Sequence, residues 1–211
     1  MSELSSIESQ PIERQGDKRQ RIANLTSNIL NPFLISLVVI LLFSFSSTHS
    51  TFEAFKWAFI SMAVSILPIF LVVIYLVRSG KLDTILTNAR QQRTRIYLTS
   101  GFFTIMGYYT LSFLGAPAVL VSGFAAVLST ALIFMLINLK WKISVHTGAM
   151  AASSIVLVML YGWIAAVAVA LVPLTAWSRI ELEHHSLAQA IGGALLAALI
   201  AAVIFYPVVM S

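Results

Sequence analysis

TGAMAASSIVLVMLYGWIAAVAVALVPLTAW, residues 147–177, decides how this chain is folded. Its about 31 residues are almost wholly apolar, against the roughly 20 needed to cross about 30 Å of hydrocarbon as a helix. That is too long for one perpendicular helix and short for two full spans. Tyr161-Gly162-Trp163 lies near the middle, so two short helices joined at Gly162 are expected. A single tilted helix is the alternative. The choice sets the side of the membrane on which everything after residue 177 falls.

Outward from this stretch the rest is of the same kind. The 211 residues are 59 % hydrophobic and 10 % charged, a balance of polytopic membrane proteins and not of soluble ones. The absence of cysteine excludes disulfides, zinc–thiolate sites and iron–sulfur clusters. The net charge of +5 comes from clustered Lys and Arg, which membrane topology explains better than nucleic-acid binding. No nucleic-acid partner is expected; the bilayer itself is. Oligomeric state is left open.

Further apolar runs occupy residues 29–45, 57–77, 96–114, 118–139 and 187–210. Asn31-Pro32 lies early in the first, where proline suits the first turn of a helix, and Pro68 is expected to kink the second. Gly115-Ala116-Pro117 reads as a tight turn, and Gly192-Gly193 allows close helix contact. The expected fold is an all-α, polytopic transmembrane bundle of about seven spans. Residues 1–28 read as a polar cytoplasmic tail, disordered over 1–16, with a surface helix from Asp17 onward. Its length argues against a cleaved signal peptide. Residues 29–211 form the helical domain, with polar loops at 78–95, 140–146 and 178–189.

With seven spans, the tail and all three polar loops fall on one side. Twelve of the 13 Lys and Arg lie there, and only Lys56 lies opposite. The positive-inside rule makes that side cytoplasmic, as in a bacterial inner membrane or an organelle inner membrane.

Three clusters then share a face. The first is Arg90 with Arg93 and Arg95, which alone reads as a basic loop drawn to anionic headgroups. The second is Lys140, Lys142, Ser144 and His146, and the third is Arg179 with His185 and, one helical turn on, Gln189. Ionisable groups at a membrane edge are costly to desolvate unless they pair or face water or a ligand. Several fixed cations, a hydroxyl and two histidines suit phosphoryl transfer, where most of the work is positioning and charge stabilisation. One imidazole can attack phosphorus while another protonates the departing oxygen. No metal or other cofactor is required. Two histidines on different helices also suit axial haem ligation, but nothing else in the sequence asks for haem.

Ser178-Arg179, five residues, His185, three residues, Gln189 resembles the last motif of the type-2 phosphatidic acid phosphatase superfamily, with Gln for its Asp. Lys142-Ile143-Ser144-Val145-His146 is similar to the family's Pro-Ser-Gly-His motif, keeping Ser and His. The first motif, Lys, six residues, then Arg-Pro, survives only as Arg95, seven positions after Asn88 and followed by Ile96. The resemblance spans about residues 78–195. It implies a six-helix phosphatase core with an extra span, and metal-independent hydrolysis of a lipid phosphate or diphosphate. It also makes His185 the nucleophile, His146 the general acid, and Arg179, Arg95 (or Arg93) and Ser144 the phosphate holders. Lys142 becomes a further phosphate ligand. The family Asp orients and charges its histidine; Gln189 can accept a hydrogen bond but brings no charge. Glu181, one turn before His185, is a candidate for the missing carboxylate. A homologue that binds anionic headgroups without hydrolysis is the alternative.

Overall fold

The computed structural model describes residues 10–82 and 90–210, without the side chains of residues 10–17, 90 and 91. Among the described residues the secondary structure is all helix. In chain order the helices are α1 (Gln10–Ile29), α2 (Pro32–Ser46), α3 (Thr51–Val64), α4 (Ile66–Arg78) and α5 (Arg90–Phe113). They continue with α6 (Ala118–Asn138), α7 (Val145–Tyr161), α8 (Val167–Glu181) and α9 (Leu187–Met210).

Local sequence sets these boundaries. Asn31 caps α2, its Oδ1 accepting from the N–H of Phe33 at 2.9 Å and of Leu34 at 3.1 Å, with Pro32 in the first turn as expected. Pro68 acts at a distance. Its ring clashes with the carbonyl four residues back, that of Val64, and the break between α3 and α4 falls there, at Ser65. Gly115 supplies the positive φ of 71° in the turn before α6.

The decisive stretch folds back on itself. Gly162 takes φ 66° and opens a 3-10 turn, Gly162–Ala166, between α7 and α8. Ser154 Oγ then donates to the carbonyl of Ala168 at 2.8 Å. Along one straight helix those residues would stand about 21 Å apart, so the single-helix alternative is excluded.

Four helical stretches among the described residues are long and apolar enough to cross a membrane: Thr51–Arg78, Ala118–Asn138, Val145–Glu181 and Leu187–Met210. Lys18–Ile29 with Pro32–Ser46, bent by 42°, makes a fifth if taken as one. The helices thus establish four or five candidate spans, and the count of seven goes beyond them. α5 falls short because Thr, Ser, Gly and three Tyr dilute its apolar residues, and α7 and α8, at 17 and 15 residues, are each short. The outer surface suits lipid: Phe113, Trp163 and Phe59 are 90, 84 and 74 % exposed.

The tail is more ordered than its sequence suggests. Residues 10–16, expected to be disordered, are already helical, and α1 packs along α8. Residues 1–9 lie outside the description. Along α7 and α9 the backbones touch. A Cβ on Gly193 would fall 2.5 Å from the carbonyl oxygen of Ser144, and one on Gly148 would fall 3.2 Å from that of Gly193. Thr147 Oγ1 donates to the carbonyl of Ala190 at 3.1 Å, and the N–H of Ser144 to that of Gln189 at 3.2 Å. These glycines pack helices within the chain.

Candidate active site at the polar end of the bundle

α7 and α9 begin, and α8 stops, at the same end of the bundle. The chain between α8 and α9 is fixed there by two back-to-back hydrogen-bonded devices. First, α8 ends in a Schellman motif: the N–H of His184 bonds to the carbonyl of Arg179 at 3.0 Å and that of Glu183 to Ile180 at 2.9 Å. The left-handed residue this motif needs, usually glycine, is Glu183 at φ 55°. The N–H of His185 also reaches the Arg179 carbonyl, at 3.2 Å, which holds the histidine against the arginine's own turn.

Second, Ser186 and Gln189 form a capping box at the start of α9. The N–H of Gln189 donates to Ser186 Oγ at 3.3 Å, and that of Ser186 to Gln189 Oε1 at 3.2 Å. The same Oε1 lies 3.1 Å from His185 Nδ1. Since that oxygen can only accept, Nδ1 carries the proton and Nε2 keeps its lone pair. Gln189 therefore orients the imidazole as a carboxylate would, without its charge.

A cavity of about 310 Å³ opens beside this turn. His146, Arg179, His185 and Arg93 line its polar end, and all four are buried, 7 % exposed or less. The structure thus brings together residues from all three sequence clusters. Arg93 Nη2 donates to the carbonyl of Ile143 at 2.9 Å, and its guanidinium lies 6.0 Å from the Tyr97 ring centre. Arg93 Nη1 and His146 Nε2 are buried with no hydrogen-bond partner among the described residues. Leaving such atoms unpaired is expensive unless a ligand meets them. Arg179 Nη1 donates to Ser27 Oγ of α1 at 2.7 Å.

The electrostatics are those of an anion site. Burial first, then Arg93, and less strongly Arg179 and Lys142, hold the His185 imidazole down at about 3, against the opposing pull of its bond to Gln189. Burial, Arg179 and Lys142 put His184 at about 4. Lys142 is itself lowered, by desolvation and then by Arg93 and Arg179. Two arginines and a lysine thus lay a positive field over the pair of histidines, which an anionic group such as a phosphate would complement.

Other expected site residues have different roles. Arg95 turns away, its Nη1 donating to the carbonyl of Lys81 at 2.7 Å, and it does not line the cavity; Arg93 does. One helical register, invisible in the run of arginines, decides between them. Ser144 is fully buried, and its Oγ accepts from the N–H of Thr147 at 3.5 Å as the N-cap of α7, which makes it a support for His146. Lys142 is half-buried beside the cavity and acts on it through charge. Glu181 does not serve His185: it pairs with Arg19 of α1 at 2.9 Å. His184, beside the expected nucleophile, keeps Nδ1 buried near Arg179 and Lys142. Asn88, the counterpart of the first-motif lysine, and the side chain of Arg90 lie outside the described residues. Ser27, Tyr97, Glu183 and Ser186 went unremarked in the sequence, although Ser186-Leu187-Ala188-Gln189 is a legible capping box. Compared with known proteins, the chain matches no family model, no curated protein and no solved structure.

Proposed function

We propose that this chain is an integral-membrane phosphatase that hydrolyses a lipid phosphate or diphosphate, of phosphatidate or isoprenyl type, through a phosphohistidine intermediate. The observation that carries this reading is the convergence of His146, His185, Arg93 and Arg179 on one cavity whose other walls are mostly apolar. The motif resemblance to the type-2 phosphatidic acid phosphatases points the same way.

In this reading His185 Nε2 attacks phosphorus while its Nδ1–H stays on Gln189. The reacting form of the substrate is its monoanion, roughly a tenth of a phosphate monoester at pH 7 given a second ionisation at about 6, and it brings the proton with it. His146 Nε2 takes that proton and passes it to the lipid oxygen as the P–O bond breaks. Arg93 and Arg179 stabilise the charge spread over the equatorial oxygens. Water then attacks the phosphohistidine and gives its proton to His146. The P–N bond breaks, His146 returns the proton to the departing phosphate, and both imidazoles are neutral again. Gln189 and Ser144 are positioning residues, one for each histidine, and Lys142 adds to the field.

The topology that goes with this reading has seven crossings: α2, α3 with α4, α5, α6, α7, α8 and α9. The N-terminus and the site lie on the cytoplasmic face, supported by the gathering of Lys and Arg at that end. A second reading keeps the site and drops the chemistry, leaving a receptor for anionic headgroups. It is favoured by Gln189, which adds no negative charge to His185. Phosphate release in detergent from phosphatidate, phosphatidylglycerophosphate and polyprenyl diphosphates separates the two. The phosphatase reading expects release from at least one by the wild type and none by His185→Ala. Full activity in His185→Ala would end it.

A further inference from the structure

The cavity continues well beyond the space a phosphate needs. Its lining follows α2 to Phe43, α5 from Arg93 to Thr104 and α7 from His146 to Val156. At 1.5 Å per residue this is about 15 Å of depth, half of a ~30 Å hydrocarbon core and so the depth of one leaflet. Past the cations the walls are chiefly Phe, Ile, Val and Ala. The Ser and Thr among them stand on helices, where a hydroxyl can turn back to the carbonyl one turn earlier and demands no water.

The far end is closed by two aromatic rings. Phe43 of α2 and Phe205 of α9 meet at 5.4 Å with 57° between their planes, and they are 5 and 1 % exposed. Gly123 of α6 completes this floor, so tightly that a Cβ there would fall 3.2 Å from the Phe43 ring and 3.9 Å from the Phe205 ring. The channel is therefore charged at one end, apolar along its length and blocked at a fixed depth.

We infer that the deep part of this cavity binds one hydrocarbon chain of the phosphorylated amphiphile, and that the Phe43–Phe205 pair sets the longest chain accepted. This rests on the proposed function for the identity of the head, a phosphate, to which the arginines at the mouth are complementary. A second chain of a two-chain lipid remains in the bilayer. Lipid tails are as apolar as the channel, so simple transfer gains little. Discrimination comes from packing. A chain that is too short leaves walls without contacts, and one that is too long lifts its phosphate off Arg93 and Arg179 or displaces the rings.

The test uses the full chain in detergent and a ladder of single-chain alkyl phosphonates, which cannot be hydrolysed, alongside the matching alkyl phosphates. Phe205→Ala deepens the channel. Ala152→Phe intrudes on it about 9 Å from His146 along α7. The length of the tightest-binding phosphonate is expected to move longer in Phe205→Ala and shorter in Ala152→Phe. The latter is also expected to weaken the longest chains by at least about tenfold while short ones still bind. Phe43→Leu replaces Phe205→Ala if that variant does not fold. An unmoved length profile in folded variants overturns the inference, as does hydrolysis of the whole ladder at rates that ignore chain length. A length optimum that moves as expected, without phosphate release from any member, supports the chain site and overturns the phosphatase reading alone.

Discussion

The two halves of this bundle are packed to different rules. Where α7 meets α9, small residues let backbone touch backbone, and helix starts are tied across by the Ser144 N–H and Thr147 hydroxyl. This half, with α8, carries His146, Arg179 and His185. Opposite it, α2, α4, α5 and α6 line the cavity, and Arg93 is the charged group they bring to it among the described residues. The contrast matches a division of labour. In the proposed mechanism the groups that must hold a geometry stand on the close-packed half, and the other half provides room.

The contrast can be broken at its rigid side first. In the proposed mechanism His146 carries the proton, so phosphate release by His146→Gln is expected to fall by about a hundredfold to ten-thousandfold with little change in KM. A fall in affinity alone would make His146 a binding group. Next in size is Gly193→Ala. Its Cβ would meet the Ser144 carbonyl, and a backbone atom cannot move aside as a side chain can. A loss of about 1–3 kcal/mol is expected in thermal unfolding, with the activity of the remaining folded protein reduced because Ser144 caps the helix that carries His146. An unchanged midpoint would show that α7 and α9 are not the rigid pair.

Acid should act on the same half. An unfolded chain takes up a proton on His185 near its ordinary 6.5, whereas the folded one stays neutral down to about 3. Protons therefore favour the unfolded chain in that window. The contribution is complete above about pH 6.5, declines as pH falls, and is gone below about 3. Thermal midpoints measured across this range should drop more steeply for the wild type than for His185→Gln; parallel curves would mean that His185 is not held neutral. The smallest effect is a gain. Glu183 occupies a left-handed position that costs most residues about 1 kcal/mol, so Glu183→Gly should stabilise the protein by roughly that amount. Destabilisation would mean that its carboxylate matters to the site.

Much of this was legible in the sequence for reasons that are local. A glycine between aromatic residues in the middle of an overlong apolar run marks a reversal, and Asn31-Pro32 marks a helix start. His185 and Gln189 are one turn apart, so their contact follows from spacing. What stayed hidden is set by long-range packing. Arg19 finds Glu181, and Arg179 finds Ser27, across more than 150 residues, and a polar helix leaves no periodic trace of such partners. Arg93 and Arg95 have the same chemistry, and only the rotation of α5 tells them apart. Ser144 looked like a phosphate ligand because a hydroxyl before a histidine serves equally well as a helix cap.

The central claim is that His185, oriented by a neutral amide, still attacks phosphorus. The most direct measurement is acid-free rapid trapping of labelled phosphate on the protein during turnover of a lipid phosphate, with the labelled peptide then sequenced. The account predicts phosphohistidine at His185, lost in His185→Ala and accumulating in His146→Gln. Turnover with no label on His185 would contradict it.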